Sequence, residues 1–207
     1  QLELEFSNID SITSQMDSGT FFQKERDDAW SVCEHLQHLI LTILPITNLL
    51  KQPALLTERW GHSGRKSRTK AEFLIDYEAA MNGAAWKTIP PFVPATDTDR
   101  TENARLHSSQ IAQTETDFYA LTGTQIQGLP DKLPSASKTS KEEVVALLLA
   151  QGKALISLAG NLEEAQLDDM MLPFPYIGLI TLRETLIFTQ YHMACHYATI
   201  AKAAIVA

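Results

Sequence analysis

Apolar positions recur along this chain at the spacing of helices rather than strands. In the stretch 31–51 they fall at Leu36, Leu39, Ile40 and Ile43, which form one stripe on a helical cylinder. The same periodicity predicts helices over 4–17, 31–51, 69–82, 99–121, 140–160 and 181–205. Four of these begin with a Ser/Thr-x-x-Glu pattern: Ser31 with Glu34, Thr69 with Glu72, Ser140 with Glu143 and Thr181 with Glu184. In such a box the hydroxyl and the carboxylate each take up a backbone N–H that the first helical turn leaves free. Pro45 should kink the second helix and Pro53 should end it, because proline lacks the N–H and crowds the preceding turn. Proline-containing stretches at 89–94, 128–140 and 168–178 read as loops. No run alternates convincingly at period two, and no repeat is evident. The expectation is an all-α fold, an antiparallel four-helix bundle in one domain spanning 1–207, with extra helices in an expanded connection at about 55–135.

Composition narrows the function. The 207 residues are 44% hydrophobic and 20% charged, ordinary for a globular domain. A net charge of −8 argues against a nucleic-acid partner, which needs a basic surface. The basic cluster Arg65, Lys66, Arg68 and Lys70 reads as a solvated loop. Two cysteines, Cys33 and Cys195, indicate no disulfide framework. No apolar run approaches the ~20 residues of a membrane span, and no secretory signal is visible, so a cytoplasmic protein without membrane contact is expected. The start at Gln1, without methionine, fits removal of an upstream piece.

Candidate chemistry rests on histidine. His192 and His196, four residues apart in the last helix, present both imidazoles on one face. Two ligands at that spacing are common in zinc helices, yet the pair alone is weak evidence. The second helix offers His35 and His38, at i and i+3, as partners. His38 borders the apolar stripe, and His35 lies one turn nearer the helix start. Spacing does not choose between them. A third imidazole would complete a three-ligand divalent metal site with an open position, the arrangement of catalytic sites.

The run Trp30-Ser31-Val32-Cys33-Glu34-His35-Leu36-Gln37-His38-Leu39 resembles the W-S-x-x-E-x-L-x-H-L segment of the DinB/YfiT-like superfamily. Gly178-Leu179-Ile180-Thr181-Leu182-Arg183-Glu184, followed by Phe188, His192 and His196, resembles its closing G-x-L-T-x-R-E … H-x-x-x-H helix. The resemblance implies metal ligation by His38, His192 and His196, and so selects His38 over His35. It is thin over 55–135, a region expected to shape the pocket mouth. The family often carries a further histidine where this chain has Cys195.

Neighbouring residues have their own readings. Glu34 is first a cap for Ser31 and second a carboxylate that orients a ligand. Glu184 is a cap, Trp30 staples the helix entrance, and Cys33 is a small buried residue. Tyr191, with His35 and Cys195, is a candidate for the pocket or for support of the ligands, although an aromatic at that spacing more often packs. His62 and His107 read as surface residues.

The resemblance further implies a transferase or hydrolase in which zinc or nickel activates water or a low-molecular-weight thiol co-substrate, such as bacillithiol or mycothiol, toward a small-molecule substrate. Pairing into a homodimer is also implied. The competing class is a non-catalytic bundle that binds a metal, ligand or partner.

Overall fold

A computed structural model describes residues 1–83, 92–94 and 133–206. Eight helices and one hairpin occur among the described residues: α1 (Leu2–Ser14), α2 (Ser18–Phe22), α3 (Val32–Leu50), α4 (Ala54–Trp60), α5 (Lys70–Gly83), α6 (Lys141–Gly160), α7 (Glu164–Asp169), β1 (Met171–Phe174), β2 (Gly178–Thr181) and α8 (Leu182–Val206). The all-α expectation holds, and five of the six predicted helices lie within three residues of the observed bounds. The sixth, over 99–121, falls outside the described residues, as does His107.

The helices begin where the side chains cap them. At α3 the Glu34 N–H donates to Ser31 Oγ (3.3 Å), and the Ser31 N–H donates to the Glu34 carboxylate (2.8 Å). Equivalent reciprocal pairs close the starts of α5, α6 and α8. Glu34 is thus a cap, and its other carboxylate oxygen takes the Lys24 ammonium at 2.6 Å. Helix α3 continues through Pro45, and the chain turns by 98° between α3 and α4, around Pro53.

Four long helices make the bundle. α3 packs against α6 and α8, and α1 packs against the same two from the opposite side. Contacts fix two of the directions. Phe6 meets Gly152 while Lys141 Nζ donates to the Thr13 and Met16 carbonyls, so α1 and α6 are antiparallel. His35 meets His196 and His38 meets His192, so α3 and α8 are antiparallel as well. Phe6, Ile9, Leu36, Leu39, Ile43, Leu148, Leu155, Met193 and Ile200 fill the interior. Helix α6 is long and apolar enough, by length and composition, to cross a membrane, so the expectation of no such run is too strict. In the bundle it buries Val144, Leu148, Gly152 and Leu155.

Two features depart from the sequence reading. The stretch expected as a loop before the last helix is partly a hairpin, with Met171 opposite Thr181 and Phe174 opposite Gly178. Pro173 fits because a two-stranded ribbon leaves one side of each strand unpaired. Four-residue strands are too short for alternation to show. Second, Arg65 and Arg68 are not free side chains in solvent: Arg65 is still partly exposed and Arg68 is half-buried, but each is tied to a buried partner. Both guanidinium groups donate to the fully buried Glu184 carboxylate, at 2.6 and 2.8 Å from Arg65 and 3.0 and 3.1 Å from Arg68, and the Arg68 and Thr181 N–H groups donate to it too. The cap of α8 therefore also clamps the 65–68 segment. These donors hold the Glu184 carboxyl far below the usual carboxylate range, although burial alone pushes the other way.

Two measurements check this packing. A Cβ on Gly152 would lie 2.4 Å from the Phe6 ring, so Gly152→Val should destabilise the protein by about 1–3 kcal/mol in urea unfolding. Combining it with Phe6→Ala should give less than the sum of the two single losses, because the two sites share one space. Glu184→Gln should cost about 3 kcal/mol, since it removes the carboxylate that Arg65 pairs with and leaves Arg68 only its ion pair with Asp76. The stabilisation from ionised Glu184 is complete above the unfolded carboxylate value near ~4.3 and is lost as pH falls toward the lower folded value. Wild type should therefore lose more stability than Glu184→Gln between pH 5 and pH 2, as read by acid titration of the unfolding midpoint.

Candidate metal centre

The site lies on the seam between α3 and α8. Residues four apart on α8 put His192 and His196 one turn above each other, and their Nε2 atoms are 3.0 Å apart. His38 reaches across from α3, with its Nε2 3.0 Å from His192 Nε2. One ring nitrogen from each of the three residues lies within 4.8 Å of the other two. Nitrogens held 2.0–2.1 Å from one zinc at tetrahedral angles stand about 3.3 Å apart, so this spacing suits a single small cation.

Proton counting points the same way. His38 Nδ1 is 2.6 Å from the Phe92 carbonyl, which can only accept, so the His38 ring is protonated at Nδ1 and its Nε2 carries a lone pair. His196 Nδ1 is turned outward to His35 Nδ1 at 2.8 Å. Three Nε2 atoms that converge this closely have too few protons to satisfy one another when the rings are neutral. A divalent cation at the meeting point takes all three lone pairs, so the donor set fits a metal. Burial keeps the rings neutral. It pushes His38 and His35 down to about 4 and His192 and His196 well below the usual imidazole value, and neighbouring rings add to the shift at His38, His192 and His196. Neutral imidazole is the ligating form.

Aromatic rings wall the cluster. The Trp30 ring centroid is 4.9 Å from that of His38, 5.5 Å from that of His35 and 6.3 Å from that of His196, on which it stacks at 15°. Phe188 stacks on His192 at 4.9 Å and 22°. Trp30 thus covers the imidazoles rather than only stapling the helix entrance. Phe188 joins a second apolar cluster with Phe73, Tyr77, Phe174 and Ile180, against which Tyr191 packs.

The remaining candidates separate clearly. His38, His192 and His196 come together, and His35 sits directly behind His196. Cys195 is exposed and Cys33 is buried. His62 is exposed, as expected, and pairs with Asp169 at 2.5 Å. Sequence reasoning missed the Phe92 carbonyl, because a backbone acceptor has no residue signature. It also missed the wall formed by Phe188, although that residue stands in the closing motif, one turn before His192.

A family model described as the DinB superfamily matches residues 1–200. Comparison with curated proteins and with solved structures finds no match.

Proton linkage supplies a test of the buried rings. A group whose folded value is lowered stabilises the fold fully above its unfolded value, near ~6.5 for imidazole, and loses that contribution as pH falls toward the folded value. Metal-stripped protein should thus lose at least about 2 kcal/mol of stability between pH 7 and pH 5 in urea unfolding, and His38→Leu should show a shallower dependence.

Proposed function

The chain belongs to the DinB superfamily, and from that premise we propose that it is a metal-dependent enzyme, a transferase or hydrolase acting on a small molecule. His38, His192 and His196 hold the metal, zinc or nickel, through Nε2. The convergence of three Nε2 lone pairs at the α3–α8 seam carries this reading. Imidazole donors suit both ions. A divalent metal on three neutral ligands leaves a position open and, when bound, lowers the pKa of a water or thiol so that a nucleophile forms at neutral pH.

The protein's own residues supply the rest. Phe92 fixes the His38 ring by accepting its Nδ1 proton, which keeps Nε2 free to ligate. Trp30 and Phe188 cover the ring faces and exclude water from the ligand side. The low local polarity strengthens charge interactions at the open position. The Ser31–Glu34 box and the Glu184 clamp hold the starts of the two helices that bear the ligands.

The test combines metal content with turnover. Untagged protein should carry about one equivalent of zinc or nickel per chain by elemental analysis, and His38→Ala should lose it. With an electrophilic probe and a panel of low-molecular-weight thiols, the wild type should show conjugation that a chelator abolishes and added metal restores. Turnover that persists in His38→Ala would remove the metal from the reaction. Bound metal with neither conjugation nor hydrolysis would leave a metal-binding bundle without catalysis.

A further inference from the structure

His35 and His38 stand three residues apart on α3, and only His38 turns its Nε2 toward the cluster. His35 is half-buried, and its Nδ1 lies 2.8 Å from Nδ1 of His196. We infer that His35 is a positioning residue: its Nδ1 accepts the Nδ1 proton of His196 and so holds that ring in the tautomer and orientation that present Nε2 to the metal. The inference rests on the metal reading above.

The tautomers follow from the geometry. A neutral imidazole carries one proton, so a ring that ligates through Nε2 must bear that proton on Nδ1. His196 Nδ1 therefore donates, and the only acceptor available on a neutral His35 at that contact is a bare Nδ1. His35 is accordingly protonated at Nε2. Its place is fixed on two sides. Trp30 meets the His35 ring edge to face at 5.5 Å and 72°, and His35 in turn meets the His196 ring at 5.0 Å and 64°. The arrangement parallels that at His38, where the Phe92 carbonyl is the acceptor behind the ligand. Two of the three ligands thus have a dedicated acceptor at Nδ1, one from the backbone and one from a side chain. Such acceptors orient the ligand and raise its basicity, and their loss typically costs 10–100-fold in metal affinity.

The experiment uses the full chain, stripped with a chelator and titrated with zinc against a chromophoric competitor. His35→Leu removes the acceptor and should weaken zinc binding by about 10–100-fold. His35→Asn can place an amide oxygen near the position of Nδ1, and should bind within about threefold of wild type. Long-range proton–nitrogen spectra of the zinc-loaded wild type should show His35 protonated at Nε2 and His196 at Nδ1. This readout does not depend on any variant folding. Zinc binding by His35→Leu within about twofold of wild type would overturn the assignment, as would a proton on Nδ1 of His35 or equal weakening by the Leu and Asn variants. These results leave the metal centre standing if wild type binds zinc and His196→Ala does not. A wild type that takes up no zinc removes the metal centre and the role of His35 together.

Discussion

The antiparallel seam between α3 and α8 is the constraint on which the other features depend. Each helix contributes an incomplete set of donors, and the set closes only when His35 faces His196 and His38 faces His192. A rotation of either helix by one residue, about 100°, would carry its imidazoles out of register. The apolar stripe of Leu36, Leu39, Ile40 and Ile43 on α3, and Met193 and Ile200 on α8, fix those rotations because these side chains are fully or almost fully buried. Core packing therefore brings the imidazoles together, and the contacts at Nδ1, from the Phe92 carbonyl to His38 and from His35 to His196, set how the rings are turned.

Closing the seam desolvates four imidazoles at once. Burial holds the four rings neutral, helped at His38, His192 and His196 by neighbouring rings, which costs stability in the absence of a cation and prepares the ligating form. Trp30 and Phe188 complete that environment from two directions. The loop bearing Trp30 is tied down by the Ser31–Glu34 box and by Lys24, which reaches the same buried carboxylate. At the start of α8, Glu184 collects Arg65 and Arg68, so the segment before α5 is anchored to the helix that carries His192 and His196. A charged group buried at each helix start thus serves both capping and long-range attachment.

The misreadings share one origin. Arg65 and Arg68 stand in a Gly/Ser-containing stretch whose local composition signals solvent, and their partner lies more than a hundred residues away. Trp30 reads as a helix staple because its neighbours in sequence are the start of α3, whereas its ring packs on residues of both helices. The short helices α2, α4 and α7 and the hairpin contain too few turns or residues for periodicity to register. Each of these choices is made by contacts that local pattern does not encode.

Local physics determined the long helices, their capped starts and the all-α class, because hydrophobic period and capping chemistry act within a few residues. It also brought His192 and His196 onto one face. Between His35 and His38 it could not decide, since both stand on the inner side of one helix, and the family motif selected His38. Only the tertiary structure gave the two rings different tasks. His38 turns Nε2 into the cluster and His35 stands behind His196, across sequence separations of 154 and 161 residues. That division follows from how two helices pack, a property of the folded pair rather than of either sequence segment.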